Sequence, residues 1–233
     1  MKIKADMHIH TKEDPQDNWL IKHSAKDIIN KAEKEKIKII SITLHNKVLE
    51  NKEIDEYAKK KGILLIKGVE RTIEGKHVLI YGLNDKESQK IKNFDYLREL
   101  KRKKDILVVA PHPYYPNILV KTCLKENVEK HKDIFDALEV QQLYTKIYNP
   151  NKKAIKKAKK LGKGIIANSD THVIKYFGAH YTEIELPQKY TQKDIFCAIR
   201  KNKTEIKTKP LTLLQTIKYL KDNIKRKPKK KKI

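Results

Sequence analysis

Cysteine is nearly absent. Two residues, Cys123 and Cys197, cannot build a disulfide framework in a chain of 233. No apolar run approaches the roughly 18 residues of a membrane span, and the opening MKIKADMHIH lacks the apolar region of a signal peptide. The expectation is a soluble, cytoplasmic protein with no membrane partner. Arginine is also scarce: Arg71, Arg98, Arg102, Arg200 and Arg226 are the five among 54 basic residues. Acidic residues number only 29, so the chain carries a net charge of +25. Apolar residues, at 39%, still suffice for a packed interior, which excludes wholesale disorder.

Lysine dominates the charge. An AT-rich coding sequence explains part of that excess, but codon bias does not by itself set 54 basic residues against 29 acidic ones. Seven basic side chains lie between Lys225 and Lys232, and without them the body still carries +18 of the +25. Such a field raises encounter rates with phosphates and makes RNA or DNA a candidate partner of the body and tail, without identifying either. Oligomeric state is not encoded in any pattern read here.

Apolar runs of strand length alternate with amphipathic stretches. The runs are Ile3–Met7, Ile37–Thr43, Ile63–Val69, Val78–Tyr81, Ile106–Ala110, Ala137–Val140, Ile165–Ala167 and Tyr181–Leu186. SAKDIINKAEKEK and TQKDIFCAIRKNK each open with capping-box spacing, Ser24 with Asp27 and Thr191 with Asp194. Gly62 and Gly162 end lysine-rich helices just before strands, where a left-handed cap is needed. Continuous Ile- and Val-rich runs fit strands buried on both faces. Seven or so βα units predict a barrel or a doubly wound sheet. Past Pro210 come a further amphipathic helix, LTLLQTIKYLKDNI, and the lysine tail, which is expected to be disordered.

The histidines are placed at the strand ends. His8 and His10 close the first run, His45 follows the second, Glu70 ends the third and His77 opens the fourth. His112 follows the fifth, and Asp170 and His172 follow the seventh. In an α/β fold the carboxyl ends of the strands share one face, and sites are built there. Six histidines and two carboxylates therefore converge, His77 entering from the other end of its strand. Only His23, His131 and His180 fall outside the pattern. Imidazole with carboxylate suits Zn, Mn or Fe, and this many ligands exceeds one ion's coordination, which predicts two or three divalent metals.

In order, DMHIHT, SITLHN, GVE, HVLIYGL, APHPYY, DALEV and NSDTH resemble the PHP (polymerase and histidinol phosphatase) family of metal-dependent phosphoesterases. The resemblance implies a distorted (β/α)7 TIM-like barrel over residues 1–207, followed by a C-terminal helix at 208–224 and a basic tail at 225–233. It implies a first ion on His8, His10, Glu70 and Asp170, and a second on Asp14, His45 and His172. A third would lie on Glu70, His77 and His112, with Glu70 bridging. The implied activity is hydrolysis of a phosphate ester by a metal-bridged hydroxide, on a nucleotide or oligonucleotide end. A histidinol-phosphate-type phosphatase and an inactive, metal-bearing nucleic-acid-binding module are the alternatives.

Departures from the family pattern leave roles open. Leu44 stands where the family has Asp, removing a support rather than a ligand. EDPQD replaces the usual Ser-Asp-Gly, so Glu13 and Asp17 compete with Asp14. Arg71 is either a phosphate clamp or a solvated charge. Glu139 either approaches the metals or orients a neighbour. His180 is either a phosphate-binding or leaving-group-protonating residue or a surface histidine. Tyr114 and Tyr115 line the pocket or pack the core.

Overall fold

All but one of the apolar runs become single strands, and most amphipathic stretches become helices. The computed structural model describes residues 1–116 and 121–224; the expected disordered tail at 225–233 lies outside the described residues. The strands are β1 (Lys2–Ile9), β2 (Ile39–Ile42), β3 (Leu64–Leu65), β4 (Gly68–Ile73), β5 (Lys76–Tyr81), β6 (Leu107–Ala110), β7 (Ala137–Val140), β8 (Gly164–Ala167), β9 (Tyr181–Glu185) and β10 (Thr204–Lys207). The helices are α1 (Ala25–Lys34), α2 (Lys52–Lys60), α3 (Asp85–Lys90), α4 (Phe94–Lys103), α5 (Asn127–Lys130), α6 (Asn151–Leu161), α7 (Gln192–Arg200) and α8 (Leu213–Ile224). None of the described helices is long and apolar enough to cross a membrane.

The strands form two five-stranded sheets, ordered β10-β9-β1-β2-β3 and β4-β5-β6-β7-β8. β1, β2 and β3 run parallel, as do β6, β7 and β8, whereas β9 and β5 are antiparallel to both of their neighbours. The sheets meet at two isolated parallel bridges, Ile9 with Thr171 and His45 with Glu70. In place of the single closed barrel that was expected, the described strands make a mixed α/β fold whose ladders form two sheets joined near the ends of β1 and β2. Because β5 reverses direction, its first residues reach the face where the parallel strands end, and this brings in His77.

One strand assignment needs correction. The run Ile63–Val69 is two strands in different sheets, β3 and β4. The chain changes sheet at Gly68, where an added Cβ would stand 2.4 Å from Ser41 Oγ. β10 is missed by the apolar reading because it is a polar edge strand, TEIK, with no fully buried residue. The capping boxes form as expected: Asp27 N donates to Ser24 Oγ and Ser24 N to Asp27, and Thr191 N donates to Asp194. Gly162 caps α6 at φ 62°. Ile9, Ile28, Ile29, Leu44 and Phe177 share one apolar cluster that clamps α1 against the ends of β1 and β2.

Candidate metal centre

Strand alternation aims His8 and His10 to one side, and the two inter-sheet bridges bring Glu70 and Asp170 to meet them. Glu70 is the hub. Its Oε1 lies 2.7 Å from His77 Nδ1, 3.2 Å from His112 Nε2 and 3.5 Å from His8 Nε2. Its Oε2 lies 3.1 Å from His45 Nε2 and 3.3 Å from His10 Nε2. Asp170 Oδ1 stands 3.3 Å from Nε2 of both His8 and His10. Glu70, His8 and His10 are buried, whereas His77, His172 and Asp170 form the half-exposed rim.

The tautomers are set from behind. His8 donates Nδ1–H to Glu139 at 2.9 Å, and His10 and His45 donate Nδ1–H to Asp14 Oδ2, each at 3.0 Å. All three therefore present Nε2 lone pairs to the centre. The Nε2 atoms of His8 and His10 face each other at 3.2 Å. Two lone pairs at that distance repel unless a positive charge lies with them. The protonation tendencies report the same demand. Burial opposes protonation of His8, but Asp170, Glu139 and Glu70 outweigh it and push the imidazole up to about 10. Burial and His10 oppose protonation of His45, yet Glu70 and Asp14 raise it to about 9. Against burial, His77, His8 and His45 hold Glu70 well below the usual carboxylate range. Likewise His8, His10 and His172 hold Asp170 down.

Among the described residues, three groups have ligand atoms within 4.8 Å of one another and could hold ions: His8–His10–Asp170, His10–Asp14–His45 and His45–Glu70–His77. This donor set, imidazole nitrogens and carboxylates in a buried pocket, fits divalent cations. The backbone is strained around it, with positive φ at His112 (30°), Asp170 (46°) and Asn46 (56°), the residue after His45.

The expected second set divides. Asp14 and His45 are together, but His172 Nε2 faces Asp17 Oδ2 at 3.3 Å. Both oxygens of Asp14 are already occupied, by two imidazoles and the backbone N–H groups of His45, Gln16 and Asp17. Glu13 turns away to accept from Ala25 N at the start of α1. Leu44 is fully buried in the cluster beneath α1, on the side opposite His45, so it leaves the centre untouched.

Arg71 is neither a solvated charge nor among the groups at the centre. With Glu70 pointing in, alternation turns Arg71 out, where its buried guanidinium donates to Ile91 O, Asn46 O and Gln89 Oε1. His180 is not at the surface either: it is 1% exposed, and burial lowers it to about 4. Tyr115 is buried and donates to Gln141 O, while Tyr114 packs beside the core under Lys153. Glu139 is the orienting carboxylate: besides His8, it accepts from His112 N at 2.9 Å and Asn168 Nδ2 at 2.8 Å.

The sequence reading missed Asp6, Gln141, Gln142 and Asn168. Asp6, two residues before His8, accepts from Ser169 N, and burial pushes it up to about 7. Gln141 donates to Asp170 Oδ2, and Gln142 to Ser169 O. A polar residue within or just after an otherwise apolar strand was the available signal for each.

Residues 149–204 match the model of the PHP-associated family. An uncharacterized protein of Methanocaldococcus jannaschii is 30% identical over 121 residues, 49% of this chain and 70% of that protein. A two-domain protein of Bacteroides vulgatus containing a predicted PHP-like metal-dependent phosphoesterase superposes with a TM-score of 0.69 at 19% identity, covering 88% of this chain and 64% of that one. The lesion-specific endonuclease of Pyrococcus furiosus superposes with a TM-score of 0.58 at 14% identity, covering 88% and 58%. The chain therefore spans less than two thirds of either solved structure. The seven ordered motifs thus come together in one fold, whose 149–204 segment matches the PHP-associated family and whose architecture is shared with a PHP-like metal-dependent phosphoesterase structure.

Proposed function

We propose that this chain is a metal-dependent phosphoesterase acting on a nucleotide or on the end of an oligonucleotide. The observation that carries the reading is Glu70, buried with five imidazoles within 3.5 Å, three of them fixed with Nε2 toward the centre. His8, His10, Glu70 and Asp170 would hold one ion, and Glu70, His77 and His112 another. His45 would complete a third position, with His172 and Asp17 on the exposed side and Asp14 as the brace of His10 and His45. Divalent ions bound there would acidify water and neutralise phosphate oxygens as charge builds.

The protein's own contribution is placement. Glu139 and Asp14 keep three imidazoles in the ligating tautomer, and Gln141 steadies Asp170. His77, His172, Asp170 and Asp17, the partly exposed members of the group, would be the first to meet an approaching ester. The positive field of the body and of the tail at 225–232 supports a polyanionic substrate or an RNA or DNA partner.

The test is metal analysis with a panel of phosphate esters, assayed with and without Mn²⁺. More than one equivalent of metal per chain and Mn²⁺-dependent release of phosphate from nucleotides or oligonucleotides are expected. Preference for histidinol phosphate would move the substrate to small metabolites, and bound metal without turnover would leave a binding module. Deleting Lys225 to Ile233 should weaken oligonucleotide binding and flatten its salt dependence by up to seven phosphate contacts.

A further inference from the structure

A cavity of about 540 Å³ opens between α1 and the segment at Val173 and Ile174. Lys31 and Lys34 line its α1 side, with Lys22 and His23 just before the helix. The volume is that of a small-molecule site. Two of its lining residues neighbour residues of the centre. His23 Nε2 lies 2.9 Å from His10 O, and Val173 follows His172 directly. A carbonyl oxygen only accepts, so His23 carries its hydrogen on Nε2, which leaves Nδ1 as an acceptor in a residue that lines the cavity.

The wall is chemically divided. Lys31 is tied to Glu35 at 2.6 Å, but neither Lys22 nor Lys34 has a carboxylate partner among the described residues. Asp27, in the same wall, is engaged with Ser24 in the cap of α1. Unpaired ammonium groups suit a phosphate, an imidazole acceptor suits a hydroxyl, and the Val173–Ile174 surface suits the face of a base or sugar. One ligand combines the three: a phosphorylated nucleoside.

We propose that this cavity is a second subsite, which takes a nucleotide unit adjacent to the phosphate held at the metal centre. Its place in a reaction rests on the phosphoesterase reading; its ligand chemistry does not. The metal centre alone would accept any small ester. The cavity makes a substrate with a further nucleotide preferred.

The test uses the full chain and three probes: 5′-phosphorylated diadenylate, AMP and inorganic pyrophosphate. Calorimetric binding is measured without metal, and turnover is measured with Mn²⁺ on diadenylate and on p-nitrophenyl phosphate. K22E/K34E should weaken diadenylate binding at least tenfold and raise its KM by a similar factor at little-changed kcat. The loss in kcat/KM on diadenylate should exceed that on p-nitrophenyl phosphate at least tenfold. K156E/K159E on α6 makes the same change of charge away from the cavity and should alter neither substrate more than threefold. Diadenylate bound tenfold tighter than AMP supports a strand as the source, and equal binding supports a free nucleotide. Pyrophosphate binding as tightly as diadenylate would overturn the nucleotide unit. So would equal losses in the two double variants, which would reduce the effect to the general field. Turnover with lysine-independent binding refutes the subsite alone, and lysine-dependent binding without turnover of any ester refutes the enzyme reading alone.

Discussion

Replacing Glu70 by Gln keeps the side chain's shape and removes its charge. The carboxylate sits 3.1 Å from His45 Nε2, 3.2 Å from His112 Nε2 and 3.3 Å from His10 Nε2, so any cation held by these imidazoles lies within a few ångströms of it. At an effective dielectric of about 20, a unit positive charge roughly 3 Å away is held by on the order of 5 kcal/mol. If a neutral amide oxygen recovers half, about 2.7 kcal/mol is forfeited, a hundredfold in rate or affinity. Glu70 is held ionised far below neutral pH, so no change of buffer restores or mimics the loss. The assay reconstitutes both proteins with Mn²⁺, Zn²⁺ and Fe²⁺, then measures metal per chain by mass spectrometry, turnover of a phosphate ester, and thermal unfolding. Loss of at least one metal and at least a hundredfold of turnover, with the fold intact, is expected. A Glu70→Gln protein with full metal content and activity would refute the arrangement around this hub, and the function proposed from it.

Other substitutions separate the centre from its surroundings. Arg71→Met removes a buried guanidinium that bonds Ile91 O, Asn46 O and Gln89; urea unfolding should show a loss of about 1.5–3 kcal/mol with turnover per folded molecule nearly unchanged. His131 stacks on Phe94 with ring centroids 4.1 Å apart and is buried, so His131→Gln should lower stability by about 1 kcal/mol while metal content stays the same. Burial holds His180 down at about 4, against about 6.5 in an unfolded chain, so between those values the unfolded state takes up a proton that the folded state refuses. The resulting loss of stability is absent above pH 6.5 and grows as pH falls toward 4. Urea unfolding at pH 7 and pH 4.5 should find His180→Leu losing roughly 2 kcal/mol less on acidification than the wild type; equal losses would show that His180 is not held neutral.

The sequence by itself determined which residues could meet. His8, His10, His45, His77, His112 and His172 sit at strand ends, and strand ends follow from local apolar runs that neighbouring residues specify. The capping boxes at Ser24 and Thr191 and the glycine cap at Gly162 are equally local, each a matter of three or four residues. Arg71 was legible too in principle, since alternation beside an inward Glu70 turns it outward. What only the tertiary structure decided depends on contacts between distant segments. Glu139 reaches His8 across 131 residues, and Asp14 reaches His45 across 31, so both hydrogen bonds exist only once the sheets have met. The same closure split Ile63–Val69 between two sheets at Gly68 and placed Asp17 rather than Asp14 opposite His172. It also buried His180 and His131. Residue type and period are properties of a short stretch of chain, but the side of a carboxylate on which a histidine lies is a property of the packed whole.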